Sequence, residues 1–218
     1  DFPDGLIKGD YLCDLGQIDL LAPARPSKVV GVGQNYRGPL EEPLLFLKTA
    51  ETVIGPQEHI ELPPASSEVR LSAELAVVVG RRLENASIDE AWNAILGYTC
   101  ANDVYARDIY RREDHRPRGK TYRTFCPLGP IIETELDPSN LLIRARLNGE
   151  LMDEFSSSEM SFDVGELLHH FSKVVTFHPW DVLITGAGGS TTMRDGDVAE
   201  IEIEGIGILR NPVRAANG

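Results

Sequence analysis

The chain has 218 residues, 42% hydrophobic and 25% charged, with a net charge of −13. That is enough apolar material for one large domain with its own core, while the negative balance repels phosphate backbones and anionic bilayers. Nucleic acid and membrane are thus excluded as expected partners, and no run of about 18 apolar residues offers a membrane span.

The chain opens on Asp1 with no basic, apolar leader, so residues 1–22 are expected to be the trimmed start of the domain that fills 23–218. Cys13, Cys100 and Cys126 are odd in number and widely spaced. They predict reduced thiols and a cytoplasmic location rather than a disulfide framework.

In chain order, Lys28–Val32, Leu44–Leu47 and Glu74–Val79 are compact apolar runs bounded by Gly or Pro, and each predicts a strand. Ser87 and Glu90 form a capping box that starts a helix to about Ile95. A weaker helix is expected after Asp103. Leu141–Leu147 and Leu151–Phe155 flank Asn148-Gly149, a pair that favours a type I′ hairpin turn. Asp163 caps a helix over Val164–Phe171, with Val164, Leu167, Leu168 and Phe171 on its buried face. Asp181–Thr185 and Val198–Ile203 read as strands, and Gly205-Ile206-Gly207 as a sharp bend. Many strands, few helices and no repeat or linker predict a single α+β domain, predominantly β.

Several chemistries are absent. Gly31-Val32-Gly33 lacks the third glycine of a dinucleotide loop. No GxSxG elbow and no zinc-ligand spacing occur. His59, His115, His178 and the pair His169-His170 read as structural or surface residues. Thr185–Ser190 is glycine-rich after a strand, and is either a backbone cradle for a carboxylate or a surface turn. Two carboxylates are more suggestive. Glu74 heads a strand that reads as buried, where an unpaired charge is costly unless matched by a partner or a metal. Asp103 ends an apolar stretch four residues before Arg107, a spacing also found in surface helix pairs. Arg111, Arg112, Arg116 and Arg118 form either a solvated loop or a cationic funnel.

These residues sit in a longer series of ordered blocks. Lys28-Val-Val-Gly-Val-Gly-Gln-Asn35-Tyr36-Arg37, Pro43-Leu-Leu-Phe-Leu-Lys48, Glu74-Leu-Ala-Val-Val-Val-Gly80 and Asn102-Asp103-Val-Tyr-Ala-Arg107-Asp108 occur in that order. Gly119-Lys120, Phe125-Cys-Pro-Leu-Gly-Pro130, Leu147-Asn-Gly-Glu150, Asp181-Val-Leu-Ile-Thr-Gly186 and Leu209-Arg-Asn-Pro212 follow. From about residue 22 onward the chain resembles the fumarylacetoacetate hydrolase family. The resemblance implies a packed β-sheet roll with a few short helices, assembled as a homodimer. It implies a hard cation, Mg²⁺ or alternatively Mn²⁺ or Ca²⁺, held by Glu74 and Asp103. It also implies an active-site Lys120, an Arg107 near the substrate carboxylate, and substrate contacts from Asn35, Tyr36, Thr185 and Gly186. The substrate class implied is a small 2-oxo carboxylate that chelates the metal, which stabilises its enolate.

Three departures qualify what the resemblance implies. Ser72 stands where the family places a third metal carboxylate, so cation binding is expected to be weaker. The segment after Arg37-Gly38 runs directly into Pro39 without the His and Glu of the family's water-activating lid. Ala187-Gly188 replaces a Thr-Pro in the substrate loop. Without water activation, isomerisation or decarboxylation of a 2-oxo-dicarboxylate is expected, of the 2-hydroxyhepta-2,4-dienedioate or oxo-ene-tricarboxylate type. The alternatives are an acylpyruvate-type C–C hydrolase, if a lid segment is missing between Gly38 and Pro39, and a catalytically silent family member.

Overall fold

The computed structural model describes residues 18–36, 38, 40–114 and 117–216. Cys13, Arg37, His115 and Arg116 lie outside the described residues, as does Pro39 and with it the Gly38–Pro39 junction. In chain order the strands are β1 (Lys28–Gly33), β2 (Leu44–Thr49), β3 (Val53–Ile54), β4 (Ile60–Leu62), β5 (Val69–Leu71) and β6 (Ala73–Val79). After helix α1 (Ile88–Asn93) come β7 (Ile95–Asn102), β8 (Tyr105–Ala106), helix α2 (Arg107–Arg112) and β9 (Cys126–Glu133). The remainder is β10 (Leu142–Leu147), β11 (Glu150–Ser156), helix α3 (Val164–Ser172), β12 (Val182–Ile184), β13 (Thr191–Thr192), β14 (Val198–Ile203) and β15 (Gly207–Ala215).

The strands form three sheets. A seven-stranded sheet runs β2-β1-β12-β6-β7-β9-β3, a five-stranded sheet β11-β10-β14-β15-β4, and a three-stranded sheet β13-β5-β8. β6 lies in the middle of the large sheet and all seven of its residues are buried. Its Leu75, Val77 and Val79 enter the main core with Ile143, Ile201 and Leu209 of the second sheet. Ala76 and Val78 point to the opposite face, where they pack with Ala101, Leu128 and Ile184. A strand covered on both faces reads as a continuous apolar run, as β6 does.

The local signals produce what they predict. Ser87 and Asp163 both close full capping boxes, with Glu90 and Glu166 respectively. Asn148 and Gly149 take φ values of 55° and 82°, as a type I′ turn requires. Cys100 and Cys126 are free and buried. His169 serves structure, its Nδ1 lying 2.6 Å from the Ala86 carbonyl oxygen.

Two boundaries differ from expectation. The first helix stops at Asn93, and Ile95–Asn102 is the strand β7, which pairs with β6 on one side and β9 on the other. The helix expected after Asp103 begins only at Arg107, because Tyr105 and Ala106 first pair with β5. Among the described residues, no helix is long and apolar enough to cross a membrane.

Candidate active site

β1 and β12 are parallel, and β6 runs antiparallel to both β12 and β7. The C-terminal ends of β1, β12 and β7 therefore meet the N-terminal end of β6 at one edge of the large sheet. A cavity of about 210 Å³ opens there, and Ser72, Glu74, Asp103, Tyr105, Lys120 and Ser190 all reach its wall.

Glu74 sits one residue into β6 and is 2% exposed. Strand alternation gives it the face of Ala76 and Val78, away from the main core. Asp103 follows β7 directly, and its backbone N–H donates to the Ser72 carbonyl at 2.9 Å, pinning the two strand ends together. Lys120 follows a short 3-10 turn, Pro117–Gly119, and its N–H donates to the Pro117 carbonyl at 2.9 Å. The Lys120 ammonium donates to Asp103 Oδ2. Lys48, inside β2 and 1% exposed, donates to Asp103 Oδ1 at 2.5 Å and to the Val104 carbonyl at 2.7 Å. Asp103 is therefore bracketed by two ammonium groups.

Lys120 also has an aromatic collar. Its Nζ lies 4.2 Å from the ring centre of Phe46, 4.7 Å from that of Tyr105 and 5.9 Å from that of Tyr110. Gly31 makes room for the first of these rings, since a Cβ there would stand 2.2 Å from Phe46 Cζ. The Tyr105 and Ser190 hydroxyls share a hydrogen bond of 3.0 Å, which ties the collar to the glycine-rich loop.

The electrostatics follow from this bracket. Burial drives the Asp103 carboxyl up, but Lys120 and Lys48 together outweigh it and hold Asp103 below the usual carboxylate range. Burial and then the Asp103 charge push Glu74 up to about 8, against the pull of Lys120 and of the Gly186 N–H. That N–H donates to Glu74 Oε2 at 2.7 Å. Burial pulls Lys120 down, yet Asp103 and Glu74 outweigh it and raise it above an ordinary lysine. Lys48 is pulled down by burial, which prevails over Asp103. Glu74 is thus the ionisable group of the site that keeps a proton near neutral pH, and Lys120 the one that stays cationic.

The residues expected from the sequence divide into two groups. Glu74, Asp103, Lys120 and Ser72 converge on one cavity. Arg107, Asn35, Tyr36, Thr185 and Gly186 are not on its wall. Arg107 Nη1 donates instead to Glu68 Oε1 at 2.8 Å. Asn35 clamps the loop behind the site: its Nδ2 donates to the carbonyls of Phe162 and Thr185 at 3.1 and 3.0 Å, and its Oδ1 accepts from the Phe162 N–H at 3.0 Å. Thr185 is buried and its hydroxyl donates to the Leu75 carbonyl at 3.0 Å. Tyr36 packs edge-on against Phe155, with ring centres 4.8 Å apart. Gly186 serves the site through its N–H on Glu74. Arg111 and Arg112 end helix α2 and are exposed, and Arg118 pairs with Glu113 at the surface.

Lys48, Phe46, Tyr105 and Tyr110 were not singled out by the sequence, whereas Ser190 ends the glycine-rich segment Thr185–Ser190 read there as a carboxylate cradle or a turn. For Lys48 the signal was present: a charge inside the apolar run Leu44–Leu47 and its continuation, the same anomaly that marks Glu74. Nothing comparable marks the aromatic residues, which read as core.

Besides Lys120, the polar side chains on the cavity wall that could hold a cation carry oxygen, among them the carboxylates of Glu74 and Asp103 and the hydroxyl-bearing Ser72, Tyr105, Tyr110 and Ser190. Among the described residues no group of three or more His, Cys, Asp or Glu side chains is placed to hold a metal ion.

Comparison with known proteins places these residues in a family context. Residues 21–214 match the family model described as "Fumarylacetoacetate (FAA) hydrolase C-terminal". An uncharacterized protein of Archaeoglobus fulgidus is 42% identical over 215 residues, covering 94% of this chain and 86% of its own. A mitochondrial oxaloacetate tautomerase of Xenopus laevis is 36% identical over 230 aligned positions, covering 95% of this chain and 72% of its own. Among solved structures, a 5-carboxymethyl-2-hydroxymuconate delta-isomerase from Mycobacterium smegmatis superposes with a TM-score of 0.91 at 40% identity, covering 94% of this chain and 85% of its own. A 2-hydroxyhepta-2,4-diene-1,7-dioate isomerase from Mycobacterium marinum gives a TM-score of 0.90 at 41% identity, covering 94% of this chain and 81% of its own.

Proposed function

Because the chain belongs to the fumarylacetoacetate hydrolase family, we propose that its cavity catalyses keto–enol isomerisation of a small 2-oxo acid. The di- and tricarboxylates named for its isomerase and tautomerase relatives are the first substrates to test. The observation that carries this reading is the shared wall of Glu74, Asp103 and Lys120. It sets one lasting positive charge beside one carboxyl that exchanges a proton near neutral pH.

The residues divide the work as follows. Lys120 Nζ stands against the oxygen that gains charge as the enolate forms, where a preorganised cation is most effective. Asp103 orients that ammonium and is itself held by Lys48 from behind. Glu74 Oε2 is committed to the Gly186 N–H, so Oε1 is the atom left to carry the proton. A carboxyl titrating at about 8 both gives and takes a proton at cellular pH. The rings of Phe46, Tyr105 and Tyr110 around Lys120 Nζ favour its cationic form.

The donor set also fits a hard cation, with Glu74, Asp103 and the Ser72 hydroxyl as its holders. Glu74 is buried with too little positive charge to keep it ionised, a deficit that a cation makes good. When bound, such an ion acts as a Lewis acid on the 2-oxo group. The two states of Glu74 exclude one another: a dication requires the carboxylate, and the proton carrier requires its absence. With a hydroxyl in place of a third carboxylate, we propose weak binding.

Decarboxylation of a 2-oxo-dicarboxylate passes through the same enolate and is the companion reaction. Hydrolysis is not favoured, since no histidine lines the cavity among the described residues. The test is enol absorbance with oxaloacetate and a dienedioate, with and without Mg²⁺. Turnover is expected, and Lys120→Met is expected to lower kcat/KM by about 10²–10³. Full activity in that variant, or no turnover of either substrate in the wild type, rejects the reading.

A further inference from the structure

We infer that the 2-oxo acid handled here carries an apolar, preferably aryl, arm, which lodges in a second cavity opening off the first. This rests on the reading of the first cavity as a 2-oxo acid site and names the substrate class within it.

The second cavity has a volume of about 510 Å³. It shares Gly33, Gln34, Phe46, Tyr110 and Lys120 with the first, so the two adjoin across the aromatic collar. Its remaining wall is Leu44, Leu45, Leu47 and Pro117. Leu44 and Leu47 are 47% and 44% exposed. The first cavity alone, about 210 Å³, is below the roughly 300 Å³ at which ligand pockets usually begin. It holds a keto-carboxylate head, and the annex brings the whole into the usual range.

The annex chemistry decides what the arm is. Among the described residues, Lys120 is the only charged group on its wall, and its ammonium is already bonded to Asp103. Among the described residues, no second cation lies on that wall to replace the hydration shell that a further carboxylate would lose to leucine and proline. An apolar arm removes the same leucines from water and gains by doing so. The rings of Phe46 and Tyr110 stand at the junction, where an aryl group has offset or edge-on partners.

The test separates the arm from the reaction by using ligands that cannot enolise. Oxamate and N-phenyloxamate share one head and differ only in the arm, and their affinities are measured calorimetrically. The phenyl compound is expected to bind at least tenfold more tightly. Leu44→Asn and Leu47→Asn, both at exposed positions, are expected to cut that ratio about fivefold or more. A ratio near one, or a ratio that neither substitution moves, overturns the inference. Sedimentation of the same variants adds a further check. If they change the oligomeric state and weaken both ligands equally, the leucines serve a contact between copies and the inference fails. Kinetics then complete the assignment, with phenylpyruvate expected to exceed oxaloacetate in kcat/KM. If phenyloxamate binds as expected while neither keto acid is turned over, the annex stands and the catalytic reading falls.

Discussion

At the scale of single residues, Lys48 shows how much of the site is held from behind. Its ammonium is fully enclosed and satisfied by Asp103 Oδ1 and the Val104 carbonyl. Lys48→Met removes one of the two ammonium groups that bracket Asp103 and leaves Lys120 as the other, so it is expected to cost about 1–3 kcal/mol in urea unfolding. Ser72→Glu is the converse experiment. It would supply a third carboxylate, and divalent-cation affinity by calorimetry should rise at least tenfold; an unchanged affinity would remove Ser72 from the donor set. Glu74 gives a prediction in pH. Its folded pKa, about 8, is above the unfolded carboxylate value, so the folded state binds the extra proton. Its contribution is present below the unfolded value near 4.3 and is lost as pH rises towards 8. Glu74→Gln should therefore raise the Tm of the cation-free protein, relative to wild type, more at pH 9 than at pH 5.

At the scale of elements, the site depends on strand ends being brought into line, and Asp181 does this for β1 and β12. Its carboxylate accepts from the Ser27 N–H and hydroxyl at 2.9 and 2.7 Å, from the His178 N–H at 2.8 Å, and from the Lys28 ammonium. Burial pushes Asp181 up, but the Lys28, His178 and Ser27 hydrogen bonds outweigh it and hold it below an ordinary aspartate. A depressed carboxylate contributes stability above its unfolded pKa, and that stability is lost as pH falls through the folded one. Asp181→Asn is expected to cost about 2 kcal/mol at pH 7, with the difference from wild type shrinking below about pH 4. A difference that persists unchanged at pH 2.5 would mean that packing, not charge, holds the two strands.

At the scale of the molecule, what could be read from the sequence tracks the range of the forces involved. Caps, the Asn148-Gly149 turn and the apolar runs are local, and they appeared where local chemistry put them. β7 was not legible as a strand because Ile95–Asn102 is enclosed on both sides by neighbouring strands and shows no alternation. Arg107 was expected at the substrate by its place in a motif, but Glu68, 39 residues earlier, captures it. The convergence of Glu74, Asp103 and Lys120 came from resemblance, and only the folded sheet edge supplies its geometry.

The two rims of the reaction cavity are built to different tolerances. On one side Gly188 and Gly189 lie directly on β11: a Cβ on either would stand 2.8 Å from Phe155 Cδ1 or 2.7 Å from Asp153 Oδ2. On the other, Gln34 and Leu44 face outward. Divergence within this scaffold has one open direction. The exposed Leu44 side chain can be exchanged without disturbing the core, whereas a Cβ on Gly188 would have to displace the Phe155 ring. New specificities should accumulate on the outward rim, and a laboratory library aimed at altered substrates is best spent there.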